Sequence, residues 1–347
     1  MAVSPQGSVL DVKDLRVGFQ TESGLVQAVD SVSFSLKRGE VLAIVGESGS
    51  GKSVTAMTMM GLTRGPNARI SGTALLTGED LIAADEHALQ RIRGERVSMI
   101  FQDPMSSLNP VYKVGDQIAE MILAHREVSK RDALAQSVDL MKQVGIPGAE
   151  ERASNYPHEF SGGMRQRVMI AMALALEPEV LIADEPTTAL DVTIQAQILR
   201  LIAKLNRERE VATILITHDL GVVAEVADRV LVMYGGRVIE IGTLEQIFYD
   251  PQHPYTWGLL GSVTRLDRPR QERLAQIEGQ PPSLVNPPEG CHFRPRCKFA
   301  HDACKQVPEL KNRGGEPGHE DRCVLSPEKK PDARSQILTL DTPAGVS

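Results

Sequence analysis

Residues 46–53 form a glycine-rich run whose residue types and spacing are those of a phosphate-binding loop. The run reads GESGSGKS, which fits G-x-x-x-x-G-K-[ST], and it follows the strand-like apolar run EVLAIV. Glycines let backbone N–H groups converge on phosphate oxygens, while Lys52 adds positive charge and Ser53 offers a hydroxyl to Mg²⁺. The alternative, an ordinary glycine-rich turn, is disfavoured by the strand before the run and the helical pattern after it. The residues expected to contact a nucleotide are Gly46, Glu47, Ser48, Gly49, Ser50, Gly51, Lys52, Ser53 and Val54.

Two adjacent carboxylates, Asp184 and Glu185, follow the apolar run at 180–183. An aspartate at the carboxyl end of a strand beside a phosphate loop can hold Mg²⁺ directly or through water. The next residue, Glu185, could orient or deprotonate an attacking water. An acid pair that merely caps the following helix is the alternative, and the phosphate loop in the same chain disfavours it.

A second glycine motif, Ser161-Gly162-Gly163, precedes the apolar helical pattern at 168–176. Ser161 can cap that helix, and the glycines permit close approach of an anion. The motif therefore predicts a second phosphate-binding helix start, too far along the chain from Lys52 to be assigned to the same nucleotide. A plain helix cap followed by two glycines is the alternative.

Together these motifs resemble the ATP-binding subunits of ABC transporters, over roughly residues 8–250. The run at 46–53 matches their Walker A motif, Asp184 their Walker B aspartate and Glu185 the adjacent catalytic glutamate. Ser161-Gly162-Gly163 matches their signature motif, with Phe and Met flanking it where Leu and Gln are commoner. The resemblance adds four residues by position: the Q-loop Gln102, the D-loop Asp191, the switch histidine His218, and Phe19, placed like the aromatic that stacks on adenine.

The resemblance implies two ATPs sandwiched head to tail between two such subunits, with Ser161 and its glycines facing the γ-phosphate held by the partner. It further implies that Lys52 and Mg²⁺ neutralise the γ-phosphate, that Glu185 polarises water and that His218 contacts the γ-phosphate. Gln102 would join Ser53 and Asp184 near the metal and signal the nucleotide state to a membrane partner. A plain polar loop at Gln102 is the alternative.

The chain has four cysteines, all in a proline-rich region near its end: Cys291, Cys297, Cys304 and Cys323. Structural zinc normally uses a C-x₂₋₄-C pair, which is absent, whereas a [4Fe–4S] cluster tolerates varied spacings. Residues 291–305 carry four basic side chains against one acidic, an excess of three positive charges that would offset a thiolate-ligated cluster. We predict the cluster, partly from the family resemblance, and keep zinc and unligated thiols as alternatives.

This tail and the motif SGGMRQR resemble the D-type ATPase subunits of oligopeptide and dipeptide importers. The resemblance implies peptide import, two transmembrane permease subunits, a second, distinct ATPase subunit and an extracytoplasmic substrate-binding protein. It places the chain peripherally on the cytoplasmic face of the inner membrane. The alternatives are a non-transport ABC ATPase on ribosomes or DNA, a regulatory nucleotide-binding module without turnover, and related importers of glutathione, nickel chelates or another small solute.

The elements that must position these residues alternate between strand and helix, which predicts a P-loop NTPase α/β fold with a mostly parallel sheet. Period-2 patterns at 10–17 and 26–36 add an antiparallel β-subdomain, and residues 103–176 a helical subdomain. The predicted divisions are a nucleotide-binding domain at 8–255, a cysteine-rich extension at 256–326 and a flexible tail at 327–347.

Composition excludes several other classes. The 347 residues are 41% hydrophobic and 24% charged, which is ordinary for a globular protein. A net charge of −7 and 4% aromatic residues argue against nucleic acid as the main partner. No stretch reaches the roughly 18 apolar residues of a membrane span, so we expect a cytosolic chain that does not itself cross the bilayer.

Overall fold

The strands of the chain form two sheets in the computed structural model, which describes residues 7–103, 107–187, 190–262, 277–313 and 316–338. The strands are β1 Ser8–Thr21, β2 Gly24–Lys37, β3 Val41–Val45, β4 Ala68–Leu76, β5 Glu79–Asp80, β6 Val97–Ile100, β7 Val180–Asp184, β8 Ala212–Ile216, β9 Arg229–Tyr234, β10 Arg237–Thr243 and β11 Glu320–Asp321. Within those residues one sheet has the order β2-β1-β4-β5 and the other β11-β10-β9-β3-β8-β7-β6.

The larger sheet has a parallel centre, in which β3 lies between β8 and β9, and β7 lies between β8 and β6. Strands β3, β7 and β8 are buried along their whole length, as their continuous apolar sequences predict. Because parallel strands end at one edge, the segments after β3, β6, β7 and β8 meet there. Those segments carry the phosphate loop, Gln102, Glu185 and His218.

The smaller sheet is antiparallel, with β1 between β2 and β4. Its apolar face is buried against the larger sheet, and Leu10, Val12 and Val29 belong to the same core as Leu42 of β3. The α/β fold with a mostly parallel core and an antiparallel subdomain is therefore confirmed.

The helices in the described residues are α1 Lys52–Met59, α2 Glu86–Ile92, α3 Val114–Leu123, α4 Lys130–Gln143, α5 Ala149–Arg152, α6 Gly162–Ala173, α7 Val192–Arg209, α8 Leu220–Val226, α9 Leu244–Tyr249, α10 Pro254–Gly261 and α11 Lys330–Ser335. Helices α3, α4 and α6 pack on one another through buried apolar residues that include Ile118, Met141 and Ile170. None of the helices in the described part of the chain has the length and hydrophobicity required to span a bilayer.

The C-terminal region has regular structure within the predicted tail at 327–347. A 3₁₀ turn at Pro327–Lys329 leads into α11. Lys330 is buried there and donates a 2.8 Å hydrogen bond to Asp321, a residue of β11. Since β11 pairs with β10, this region is joined to the edge of the larger sheet. Residues 339–347 of the predicted tail lie outside the described residues.

Candidate functional site

The phosphate loop leaves β3 and enters α1, the strand–loop–helix context that its motif requires. At two positions of the loop, neighbouring backbone atoms leave no room for a side chain, so glycine is required. A Cβ on Gly46, whose φ is +152°, would lie 2.2 Å from the carbonyl oxygen of Met233, and one on Gly51 would lie 2.4 Å from that of Ala28. Ser48 and Gly49 form the exposed rim of the loop, and Val54 packs partly buried behind it.

Lys52 lies inside this loop with its side chain buried. Its Nζ donates hydrogen bonds of 2.8 Å and 3.0 Å to the carbonyl oxygens of Gly46 and Glu47. Burial lowers the pKa of Lys52, and the carboxylates of Glu185, Asp184 and Glu47 oppose that shift. The ammonium is therefore held by the loop that would receive the phosphates, close to the carboxylates of the site.

Ser53 and Asp184 meet beside the loop, since Ser53 Oγ donates a 2.9 Å hydrogen bond to Asp184 Oδ1. Burial raises the pKa of Asp184, while the bond from Ser53 and the charge of Lys52 act in the opposite direction. A hydroxyl and a carboxylate are hard oxygen donors, so this pair fits Mg²⁺. The third predicted ligand, Gln102, is instead hydrogen-bonded to Glu185.

Glu185 directly follows β7 and lies between the residues that follow β6 and β8. Gln102 Nε2 donates a 3.1 Å hydrogen bond to Glu185 Oε2, and His218 Nδ1 lies 3.4 Å from Glu185 Oε1. Glu185 has a φ of +46°, a costly left-handed conformation for a residue with a side chain, and its N–H donates to the carbonyl of Ile216. The fold thus holds a carboxylate between an amide and an exposed imidazole, the residue types that position water for hydrolysis.

The second glycine motif begins α6, as predicted. Ser161 Oγ accepts a 3.4 Å hydrogen bond from the backbone N–H of Met164, which makes Ser161 the N-cap. A Cβ on Gly163 would lie 2.7 Å from Ile194 of α7, so this glycine also permits close packing of two helices. Gly162 approaches Leu190 in the same region.

Asp191 and Phe19 have local contacts that the sequence did not specify. Asp191 caps α7, because its Oδ1 accepts a 3.0 Å hydrogen bond from the N–H of Ile194. Phe19 lies partly buried near the end of β1, where it pairs with Val26 of β2 and Ala68 of β4.

The four cysteines line one cavity of about 20 Å³ and are free thiols: Cys291, Cys297, Cys304 and Cys323. Burial raises the pKa of Cys297 to about 11 and that of Cys323 to about 12. In the described residues, no group of three or more His, Cys, Asp or Glu side chains is arranged to hold a single metal ion. The thiols are therefore gathered together without converging on one point.

Two functional candidates that contact Glu47, namely Arg296 and Tyr255, were missed from the sequence. Glu47 receives a guanidinium fork from Arg296, and its N–H donates a 2.8 Å hydrogen bond to Tyr255 Oη. Arg296 stands 249 residues from Glu47 in the chain, and no short-range pattern links them. The only available signal was the position of Glu47 inside the phosphate-loop motif.

Two family models match the chain: "ABC transporter" over residues 29–188 and "Oligopeptide/dipeptide transporter, C-terminal region" over residues 239–304. The chain is 52% identical over 321 residues to the oligopeptide transport ATP-binding protein OppD of Haemophilus influenzae, which covers 92% of this chain and 98% of that protein. It is 55% identical over 300 residues to the dipeptide transport ATP-binding protein DppD of Bacillus subtilis, which covers 86% of this chain and 89% of that protein.

Solved structures agree with the fold. The ATP-binding cassette MJ0796, in a dimeric post-hydrolysis state bound to ADP and Pi, superposes with a TM-score of 0.61 at 27% identity, covering 68% of this chain and 98% of that one. The protein cbiO1 from Clostridium perfringens superposes with a TM-score of 0.60 at 29% identity, covering 70% of this chain and 91% of that one. The phosphate loop, the strand-end carboxylates and these similarities lead to one conclusion: the chain belongs to the oligopeptide and dipeptide transport ATP-binding proteins of the ABC transporter family.

Proposed function

We propose that the chain hydrolyses ATP to drive import of dipeptides and oligopeptides through an ABC transporter. The observation that carries the hydrolytic part is the position of Glu185 between Gln102 and His218, at the sheet edge where Ser53 meets Asp184. The transport part rests on the relatives, which are named as oligopeptide and dipeptide transport proteins.

Hydrolysis follows from the residues at that edge. The loop N–H groups and Lys52 bind the β- and γ-phosphates, while Ser53 and Asp184 would hold Mg²⁺, which would supply positive charge to the phosphate oxygens. Glu185 orients a water molecule and accepts its proton as the water oxygen bonds to the γ-phosphorus. The bond from that phosphorus to the bridging oxygen breaks, and ADP and phosphate leave. His218 contacts the γ-phosphate.

Completion of the site requires a second ATPase subunit. Ser161 and Gly162 start α6 and face outward, so a partner's γ-phosphate could receive the N–H groups of this helix. We infer a pairing with a distinct subunit, in which each phosphate loop faces the other chain's signature motif. The dimeric state of the cassette MJ0796 supports this arrangement.

A permease contact is proposed beside Gln102. A groove of about 410 Å³ lies there, lined mainly by methionine and other apolar side chains, including Phe101, Met121, Met169 and Met172. Methionine-rich surfaces adapt to a partner's shape, which suits a cytoplasmic segment of a permease. A permease segment in this groove would lie next to Gln102, and Gln102 is hydrogen-bonded to Glu185. Movement of the membrane subunits would thereby be connected to hydrolysis. The chain would then lie peripherally on the cytoplasmic face of the membrane, with an external binding protein supplying substrate.

We also infer a [4Fe–4S] cluster at the four cysteines. Support comes from the donor set, because four thiols line one cavity and cysteine thiolates are the usual ligands of such a cluster. Zinc is the alternative, and it would need its four sulfur ligands about 2.3 Å from one ion. Each thiolate of a cluster binds a different iron, so the thiols need not meet at one point. Since burial raises the thiol pKa values, loading must release protons.

The test is reconstitution of the chain with its permease and partner ATPase subunits in liposomes. We expect ATP added on the side of this chain to drive uptake of labelled dipeptides or oligopeptides, and the peptide-loaded binding protein to stimulate ATP turnover. Glutathione and nickel chelates serve as competing cargo. Stable association with ribosomes or DNA, without affinity for a permease, would contradict the proposal.

A further inference from the structure

The C-terminal extension reaches the phosphate loop through one side chain. Arg296 ends the 3₁₀ turn Arg294–Arg296, next to Cys297, and its side chain is only 6% exposed. Its Nη1 lies 2.7 Å from Glu47 Oε2, and its Nη2 lies 3.2 Å from Glu47 Oε1. Both nitrogens of the planar fork therefore bind both oxygens of a carboxylate in the second residue of the loop.

Arg296 is itself immobilised by the protein around it. Its Nε donates a 2.9 Å hydrogen bond to the carbonyl of Glu278, and Nη2 donates one of 3.0 Å to that of Ile277. Nη1 also donates to Tyr234 Oη at 3.2 Å, and the guanidinium lies 5.7 Å from the centre of that tyrosine ring. Because these contacts fix the guanidinium in place, its two hydrogen bonds restrict the position of the Glu47 carboxylate.

Glu47 is held from its backbone as well. Its N–H donates to Tyr255 Oη at 2.8 Å, and its carbonyl accepts from Lys52 Nζ at 3.0 Å. Arg296 supplies the remaining restraint, on the carboxylate. The first turn of the loop is thus fixed partly by α10, which contains Tyr255, and partly by the extension.

The ion pair between Arg296 and Glu47 also sets the net charge beside the phosphate loop. The Glu47 carboxylate is close enough to act on the pKa of Lys52, the residue expected to reach the phosphates. Without a cation beside it, that carboxylate would repel a triphosphate. Arg296 neutralises it, and an arginine does so with a fixed bidentate geometry that a lysine cannot reproduce.

We propose that Arg296 is a positioning residue of the ATP site, which the extension supplies and which acts through Glu47. It holds the phosphate loop in its binding conformation and cancels the negative charge of Glu47. The cysteine-lined cavity and the nucleotide site are consequently joined through Arg296, the residue next to Cys297. This inference rests on the proposed binding of ATP by the loop.

The test compares variants of the full chain by the dissociation constant of MgATP, measured by titration calorimetry. We expect Arg296→Ala to raise this constant about tenfold, the effect of losing a charge-assisted hydrogen bond, and Arg296→Lys to raise it less. The double variant Arg296→Ala with Glu47→Gln should recover part of the affinity, because no unpaired carboxylate remains although the fork that positions the loop is still absent. Lys298→Ala, an exposed cation two residues along the chain, is the matched control and should bind as the parent does.

In the assembled transporter, Arg296→Ala should raise the KM for ATP by about the same factor as the dissociation constant of MgATP. It should leave kcat within about threefold of the parent value. Parent-like ATP affinity in both Arg296 variants overturns the inference, as does failure of Glu47→Gln to restore affinity to a folded Arg296→Ala chain. If Arg296→Ala does not fold, parent-like affinity in a folded Arg296→Lys chain overturns it equally. A parent chain that binds no ATP would instead refute the proposed function.

Discussion

The substitution Glu185→Gln tests the hydrolytic mechanism most directly, because it removes the basicity of the side chain while preserving its shape. A glutamine can still accept the 3.1 Å hydrogen bond from Gln102 through its oxygen and donate its amide to His218 Nδ1. The geometry of the site is therefore expected to survive. Only the ability to take a proton from water is lost.

General-base catalysis contributes about 10²–10⁴-fold, so we expect kcat for ATP to fall by that factor. The dissociation constant for MgATP should stay within about twofold, because the substitution preserves the shape of the side chain and its bonds to Gln102 and His218. The assay is steady-state phosphate release by the assembled transporter, with ATP binding measured separately on the same preparation.

The matched control is Glu208→Gln, which neutralises an exposed carboxylate on α7 and should leave both quantities unchanged. Parent-level turnover in the Glu185→Gln complex would refute the assignment of Glu185 as the base. A fall in turnover caused entirely by weaker ATP binding would refute the argument that the substitution preserves the geometry.

Three further predictions address the loop, the cysteines and pH. Gly46→Ala, with its Cβ 2.2 Å from a carbonyl oxygen, should weaken ATP binding about 100-fold by displacing the loop. Gly49→Ala pays only the strain of a φ of +76°, because its Cβ meets nothing within 4 Å, so it should weaken binding less. Equal losses in calorimetry would contradict this. The chain purified without oxygen should contain about four iron atoms, an equal amount of sulfide and the visible absorbance of a cluster. The variant Cys297→Ser should lose all three signals. A parent chain that contains only zinc, or no metal, would exclude the cluster. Burial lowers the pKa of His253 from 6.5 to about 3, so the unfolded chain takes up a proton below pH 6.5 that the folded chain does not. The free energy of unfolding should therefore fall by roughly 3 kcal/mol between neutral pH and pH 4.5. His253→Asn, which can still accept the helix-capping bond from Tyr255, should flatten that dependence in urea unfolding, and equal slopes would show that His253 is not responsible.

Several departures from the sequence-based expectations share one cause, namely contacts between distant segments. The polar composition after residue 326 indicated a flexible tail, yet Lys330 is buried because Asp321 of β11 offers it a carboxylate. Gln102, which is predicted to lie near the metal with Ser53 and Asp184, also donates a hydrogen bond to Glu185 at the end of the neighbouring strand, a contact that the sequence did not indicate. Gly163, interpreted as an anion-binding residue, also makes room for Ile194 of α7.

The sequence by itself determined the local chemistry of this protein. A phosphate loop, a strand ending in two acids and a capped glycine motif are short patterns whose geometry follows from backbone conformation within a few residues. Only the tertiary structure decided that Arg296 neutralises Glu47 and that the four thiols line one cavity. The Arg296–Glu47 contact joins residues 249 positions apart and arises only when the extension packs beside the loop. The shared cavity forms only when the extension folds back on itself, so no local preference encodes either feature.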